Sequence, residues 1–156
     1  GNQNRIHSMA LLHKKLNVSD NVNEIDFGRY ITELSEIVKE SYDNYRKKID
    51  LHIKCELETI SIVKALPVGM IIVELLSNSM KHAFKNRNIG IINIEITADE
   101  NTKKNKLYYA DNGDGFDFNK DNDKGLGLEI TKGLIHQLDG EIVTKSEYGF
   151  ELMLYF

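Results

Sequence analysis

Apolar residues recur at helical spacing along four stretches of the chain. Spacings of three and four residues predict a first helix over 1–16, a second over 27–47 and a last one over about 126–138. The most apolar stretch, 67–84, predicts a central helix that starts near residues 65–67, because proline is tolerated in the first turn of a helix. The chain is therefore predicted to contain four helices.

Two of these helices show a division between apolar and polar positions. Asp26 is the predicted N-cap of the second helix, whose buried stripe consists of Phe27, Tyr30, Ile31, Leu34, Ile37, Val38 and Tyr42. In the central helix the apolar side consists of Val68, Ile72, Leu75, Leu76, Ser79 and Ala83, and the polar side consists of Glu74, Asn78, Lys81 and His82. The central helix is thus predicted to bury one face and to present functional groups on the other.

Shorter runs alternate between apolar and polar residues, which indicates half-buried strands. A polar loop is predicted over 17–26, and Gly140 is predicted to end the last helix. The predicted strands are 49–57, 59–63, 89–98, 106–110, 141–145 and 149–156. Paired strands between helices predict an α+β fold, a two-layer sandwich in which helices pack on one face of a mixed, mostly antiparallel sheet.

Composition narrows the class of protein. The chain has 156 residues, 41% of them hydrophobic and 28% charged, which suits one folded domain. It has no run of 18 consecutive apolar residues, so we expect no membrane span and no direct membrane contact, while an anchor elsewhere in a longer protein stays open. The single cysteine fits a reducing cytoplasm. The net charge of -4 argues against a nucleic-acid partner, and Cys55 has no second cysteine with which to form a disulfide.

The polar side of the central helix is the first candidate site. Glu74, Asn78, Lys81 and His82 combine a carboxylate, a carboxamide and two groups that can be cationic. Oxygen ligands suit a hard cation, and lysine supplies a point charge for phosphates. The alternative is an ordinary solvated helix face.

A glycine-bearing turn follows the predicted strand 106–110. Asp111, Gly113 and Gly115 form the sequence DNGDG with the residues between them. Glycine allows close backbone approach, so a flat ligand could lie against the turn while Asp111 accepts a hydrogen bond from an exocyclic amine. The alternative is a polar turn without a ligand.

A second glycine-bearing stretch, 125–128, opens the last helix. Gly125, Leu126, Gly127 and Leu128 place unpaired amide N–H groups at a helix N-terminus, which is a natural phosphate site. The nine preceding residues, 116–124, are polar and include Lys120 and Lys124, as expected of a lid over a nucleotide.

The lid region also resembles a calcium-binding loop in the alternation of Asp117, Asn119, Asp121 and Asp123. However, Asn122 stands where an EF-hand needs glycine, and Leu128 stands where it needs glutamate. We therefore do not expect calcium binding.

The stretches 74–84, 111–115 and 125–128, in this order, resemble the N box and the two glycine boxes of the GHKL ATPase superfamily. The sequence KHAF at 81–84 resembles the sensor histidine kinases within that superfamily. Residues 4–16 resemble the end of the second dimerisation helix of such kinases. The resemblance implies a Bergerat ATP-binding fold, with 1–18 as a remnant of that helix and 19–156 as the catalytic ATP-binding domain. It also implies that the phosphoacceptor histidine, which lies on the first dimerisation helix in this family, is not in this chain.

The resemblance also implies roles for the motif residues. Asn78 would ligate Mg²⁺, and Glu74 would assist the metal and position or deprotonate the attacking group; with Lys81 these are the expected catalytic residues. Asp111 would bind the adenine amino group. The remaining expected contacts to ATP are Lys81 and His82 at the phosphates, Gly113 and Gly115 at the base, and Lys124, Gly125, Leu126, Gly127 and Leu128 at the phosphate end.

The activity implied is transfer of the ATP γ-phosphoryl group to a histidine. The implied partners are the protein's own dimerisation helices and a response-regulator receiver domain, in a parent homodimer. The alternatives are a nonenzymatic ATP-binding regulator and an anti-sigma-type protein-serine kinase. One departure is Phe150, which follows Gly149 where many superfamily members carry Thr or Ser to help the aspartate hold adenine.

Overall fold

The computed structural model describes residues 10, 24–42, 47–115 and 125–156, with the side chains of 125–128 left out. Residues 1–23 apart from Ala10 therefore lie outside the description, and with them most of the predicted first helix. The elements are β1 Glu24–Asp26, α1 Phe27–Tyr42, β2 Lys48–Cys55, β3 Thr59–Ser61, α2 Ile62–Asn78, a π-helical turn Ser79–Ala83, β4 Ile89–Asp99, β5 Lys104–Asp111, α3 Gly125–Gln137, β6 Glu141–Lys145 and β7 Phe150–Tyr155.

A five-stranded sheet forms one layer, in the order β2-β4-β5-β7-β6. The β2 and β4 strands are parallel, and the other three neighbouring pairs are antiparallel. A separate two-stranded sheet joins β1 to β3, with Glu24 opposite Ser61. The predicted α+β fold with a mixed, mostly antiparallel sheet is confirmed.

The hydrophobic core lies between the sheet and the helices. Alternate positions along β4, β5 and β7 are buried, as expected of strands covered on one face. These positions and the helices share one cluster of buried apolar side chains, and α2 packs against both α1 and α3. The inward residues of the strands are Ile92, Ile94, Ile96, Leu107, Tyr109, Leu152 and Leu154.

The predicted start of the central helix is wrong. Helix α2 begins at Ile62, where the Ser61 hydroxyl accepts a hydrogen bond from Val63 N, and so Pro67 lies in the second turn. A proline there lacks the N–H that would bond to the Val63 carbonyl. Val63 is 77% exposed, so water can bond to that carbonyl instead. The earlier start also shortens the strand predicted over 59–63 to Thr59–Ser61.

The central helix is also buried more completely than predicted. Glu74 and Ser77 are buried along with the apolar residues, because α2 packs against both other helices and shares one apolar core with the sheet. Beyond Asn78 the chain adopts a π-helical turn, in which Phe84 N donates to Ser79 O. Since a π turn contains more than 3.6 residues, the predicted helical wheel does not hold past Ser79.

Three other boundaries differ from the prediction. Glu24–Asp26 is a strand within the predicted loop, because it pairs with β3. The described part of helix α1 runs to Tyr42, residues 43–46 lie outside the description, and Lys47 is not helical, although the prediction extended the helix to it. At the other end Asp26 Oδ1 accepts from Arg29 N, as a capping residue does. Helix α3 ends at Gln137. The left-handed residue after it is Asp139, at φ 55°, and the predicted terminator Gly140 comes one residue later.

The continuous helical segment Ile62–Ala83 is 22 residues long and apolar enough to cross a membrane by length and composition alone. However, 67% of its 18-residue apolar window is buried inside the fold, as expected of a core helix.

Two helical glycines make the packing of α1 on α2 testable. A Cβ on Gly69 would lie 2.9 Å from the ring of Tyr30, which is fully buried, whereas a Cβ on Gly133 in α3 would meet nothing within 4 Å. We expect Gly69→Ala to lower the free energy of unfolding by roughly 1–2 kcal/mol. The control Gly133→Ala should raise it by about 0.5–1 kcal/mol through helix propensity. Urea denaturation measures both, and equal effects of the two changes would contradict the described packing.

Candidate functional site

Asp111 ends β5 with its carboxylate buried against the end of the central helix. The residue is 6% exposed. Its Oδ1 accepts hydrogen bonds from Gly113 N at 3.0 Å and Phe150 N at 3.3 Å, and its Oδ2 accepts from Ser79 Oγ at 2.6 Å. Three donors from three parts of the chain thus satisfy a buried carboxylate, which would otherwise be strongly unfavourable.

A second hydroxyl lies behind Ser79. Tyr109 OH is 2.5 Å from Ser79 Oγ and 3.1 Å from the carbonyl oxygen of Leu75. Tyr109 is fully buried, and burial raises its pKa well above the ordinary value, so the hydroxyl keeps its proton. Because residues two apart on a strand face the same side, Tyr109 and Asp111 approach the helix together.

The turn after Asp111 is hydrogen-bonded to the end of the π-helical turn and to Arg87. Asp114 N donates to Ala83 O at 3.0 Å, and a Cβ on Gly113 would lie 2.5 Å from that carbonyl. Arg87 binds the turn from outside through Nε to Asp114 Oδ1 at 2.8 Å and Nη1 to Asn112 O at 3.0 Å. The turn and the end of the π-helical turn are therefore in direct contact, and only glycine fits at position 113.

Two glycines near the carboxylate have positive φ angles. Gly115 has φ 87°, and a Cβ there would lie 2.8 Å from Ser146 Oγ. Gly149 has φ 99°, and a Cβ there would overlap the carbonyl oxygen of Asp111. Gly149 thus allows Phe150 N to reach the carboxylate, although the sequence motifs did not identify it as a site residue.

A small cavity opens beside the carboxylate. Its volume is about 10 Å³, which is room for about one water molecule. A purine therefore enters only if the walls move apart. The lining consists of Leu75, Asn78, Ser79, Ala83, Asp111 and Phe150.

The predicted polar side of the central helix is only partly gathered at this cavity. Asn78 lines it, whereas Glu74 is 4% exposed, does not line it, and lies one turn earlier. Lys81 and His82 are exposed, and Lys81 Nζ lies 5.9 Å from the centre of the Tyr42 ring, towards α1. Among the described residues, the structure therefore brings together Asn78, Asp111 and Gly113 but not the two cationic side chains.

The phosphate-binding predictions fall mostly outside the described part. Helix α3 does begin at Gly125, so Gly125, Leu126, Gly127 and Leu128 form its first turn. The side chains of 125–128, the predicted lid 116–124 with Lys124, and the calcium-like stretch within it lie outside the description. These site assignments stay predictions.

One residue that lines the cavity has the chemistry of a ligand for Mg²⁺ bound together with a nucleotide. Within the described ranges no group of three or more His, Cys, Asp or Glu residues could hold a metal ion by itself. Mg²⁺ bound with a nucleotide needs only one or two protein oxygens, because phosphates and water fill the other positions. The carboxamide of Asn78, at the cavity wall, is suited to be one of them.

Besides Gly149, sequence reasoning missed two site residues that carry hydroxyl groups. Ser79 was assigned only to the apolar side of the helix, and Tyr109 only to a strand. The period of two along β5 could have indicated that Tyr109 shares a face with Asp111. The hydroxyl absent at Phe150 is thus supplied to the carboxylate by Ser79, while Phe150 contributes its backbone N–H.

Comparisons with known proteins agree on one class of fold. A family model described as histidine kinase (HisKA_2) matches residues 1–42. The histidine kinase domain of the blue-light-activated kinase EL346 from Erythrobacter litoralis superimposes with a TM-score of 0.85 at 18% identity, covering 99% of this chain and 73% of that one. The fold is that of a histidine kinase catalytic domain.

Other histidine kinases match this fold. The mycobacterial sensor histidine kinase MprB gives a TM-score of 0.67 at 16% identity, covering 85% of this chain and 96% of that chain. In sequence, blue-light-activated histidine kinase 2 of Erythrobacter litoralis (strain HTCC2594) is 21% identical over 93% of this chain and 43% of its own length. The chain thus spans less than half of that relative. The resemblance to sensor histidine kinases noted in the motifs is confirmed.

The close approach at Gly149 yields a prediction about this histidine kinase fold. Gly149→Ala should lower the free energy of unfolding by roughly 2–4 kcal/mol, because alanine is strained at φ 99° and its Cβ overlaps Asp111 O. The urea midpoint measures the change. A midpoint equal to that of the unmodified protein would show that the β7 end does not approach Asp111 as described.

Proposed function

We propose that this chain carries the ATP-binding catalytic domain of a sensor histidine kinase, with the domain itself in the cytoplasm and the parent protein either cytoplasmic or membrane-tethered. The observation that carries the proposal is a buried carboxylate, Asp111, which lines a cavity shared with Asn78 in a histidine kinase catalytic fold. Ionised carboxylates accept hydrogen bonds only, so Asp111 favours a base that offers an amino group over one that offers a carbonyl oxygen. Adenine is such a base.

The site residues have different roles in binding the base, the metal ion and the phosphates. Asp111 binds the adenine amino group, and Gly113 and Gly115 let the backbone approach the base. Asn78 holds Mg²⁺, which when bound neutralises charge on the phosphates during phosphoryl transfer. In this proposal Glu74 orients the attacking group, and Lys81, His82, Lys124 and the turn 125–128 bind phosphate oxygens. The motif resemblance supports these roles, since Glu74, Lys81 and His82 do not line the cavity beside Asp111. Catalysis of this kind rests mostly on positioning and charge neutralisation.

The acceptor in this proposal is a histidine on a dimerisation helix outside residues 1–156. We place a remnant of the second dimerisation helix at 1–18 and the catalytic domain at 19–156. The histidine kinase family model matches residues 1–42 and so covers the proposed remnant and the beginning of the proposed catalytic domain. The parent protein is then a homodimer that passes its phosphoryl group to a response-regulator receiver domain. The blue-light-activated relative, more than twice as long, is consistent with further segments in the parent.

Replacing the Asp111 carboxylate tests the proposed ATP binding. With Mg²⁺ present, ATP should raise the melting temperature of the chain, and Asp111→Asn should weaken ATP binding about tenfold or more because an amide N–H replaces an acceptor. Asp99→Asn is a matched control, since Asp99 also accepts from a backbone N–H and a hydroxyl, both of Thr102, at the other end of β4. A melting temperature unaffected by ATP in the unmodified protein would refute the proposed function.

The location of the acceptor is tested by radiolabel transfer. The 156-residue chain incubated with labelled ATP should not become labelled, whereas the parent protein with its first dimerisation helix should carry an acid-labile label. His7 and His13 are the candidate acceptors within the predicted first helix. Label on the chain alone that disappears in His7→Gln or His13→Gln would place the acceptor inside it.

A further inference from the structure

An apolar groove lies between the start of helix α2 and the end of helix α3. Its volume is about 260 Å³, and among the described residues that line it only Gln137 is polar. A site for a small molecule usually has several polar groups that converge on the ligand, so this groove is better suited to apolar side chains. Val63 lines it and is 77% exposed. The apolar lining consists of Ile62, Val63, Leu66, Pro67 and Met70 of α2 and Leu134 of α3.

The chain ahead of β1 is joined to the fold beside this groove. Strand β1 is antiparallel to β3, and Glu24 lies opposite Ser61. Ser61 is followed directly by Ile62 and Val63, which line the groove. Because the two strands run in opposite directions, the chain traced backwards from Glu24 leaves β1 in the direction in which β3 leads into α2. The segment ahead of Glu24 therefore starts next to the first turn of α2.

The predicted helix over 1–16 has an apolar stripe of about the same length as the groove. The stripe consists of Ile6, Met9, Leu12 and Leu16, at spacings of three and four residues. At 1.5 Å per residue, it extends over roughly 15 Å, and the part of α2 from Ile62 to Met70 extends over roughly 12 Å. Ala10 is helical and exposed, as expected of a position beside the stripe.

The linker between this helix and β1 is short enough to favour docking within one chain. Residues 17–23 are seven residues, which span at most about 23–25 Å. A short linker of this kind gives an effective concentration on the order of millimolar, so contacts too weak to join separate molecules suffice here. The helix also depends on such contacts, because isolated helices of this length are marginal in water.

We propose that the apolar stripe of residues 6–16 docks in the groove between α2 and α3 of the same chain. The mode is that of an amphipathic helix in an apolar groove, and docking covers Val63. The proposed function assigns residues 1–18 to a dimerisation helix without a contact to the catalytic domain, and the inference adds that contact. In the parent protein the groove then competes with the other dimerisation helices for the same stripe.

Hydrogen exchange of the backbone amides of residues 6–16, measured by NMR in the 156-residue chain, tests the docking. These amides should be protected in the unmodified chain and should exchange about tenfold faster or more in Val63→Asp, because docking would bury the new carboxylate. The fold should be retained, since a carboxylate is favourable in the first turn of a helix. Val143→Asp is the matched control, because Val143 is 47% exposed on β6 and does not line the groove. It should leave the exchange unchanged.

A second pair of variants tests the stripe from the side of the predicted helix. Leu12 belongs to the stripe, whereas Leu11 falls on the opposite side of a regular helix. Alanine is the best helix former, so neither Leu12→Ala nor Leu11→Ala lowers helix propensity. Leu12→Ala should speed the exchange of residues 6–16 and Leu11→Ala should not. Equal effects of the two changes would contradict docking through the stripe.

Other outcomes would also overturn the inference. Fast exchange of residues 6–16 in the unmodified chain would show that the helix is not docked, and protection that survives Val63→Asp would place it elsewhere. Protection that increases with protein concentration, together with a dimer in analytical ultracentrifugation, would assign the stripe to a second copy. All of these measurements are made without nucleotide, so their failure leaves the proposed function intact, and a failure of ATP binding leaves the inference intact.

Discussion

The site depends on keeping one carboxylate charged and buried at the meeting point of helix and sheet. Asp111 receives its donors from the end of the central helix, from its own turn and from the start of β7. A buried charge is tolerated only when such donors are in place, so its hydrogen bonds fix the alignment of these elements alongside the apolar core. The glycines at 113 and 149 follow from this constraint, because both let the backbone come close to its neighbours.

Much of the fold could be predicted because burial on one face leaves a simple period in the sequence. The alternation along β4, β5 and β7 and the stripe along α1 arise in this way. The central helix lies in a different environment. It packs against both other helices and shares one apolar core with the sheet, so its polar Glu74 is buried and the division into two faces is lost. Local periodicity cannot reveal how many neighbours a helix has.

The candidate site shows the same division between local and long-range information. Asp111 and the glycines of its turn could be predicted from turn chemistry, which depends on adjacent residues. The contact of Ser79 with Tyr109 joins residues 30 positions apart and depends on how α2 lies over the sheet. The π-helical turn adds to the difficulty, since it rotates Lys81 and His82 away from the positions that a regular helix would give them.

The short pairing of β1 with β3 has a mechanical consequence. Glu24 lies opposite Ser61, and Ser61 caps the helix whose last residue, Asn78, reaches the cavity. A force applied to the chain ahead of Glu24 is thus transmitted across a few backbone hydrogen bonds to the first turn of α2. The first turn of α2 and the cavity thus lie at opposite ends of one helix, so the small β1–β3 sheet connects the chain ahead of Glu24 with the far end of the helix that carries Asn78.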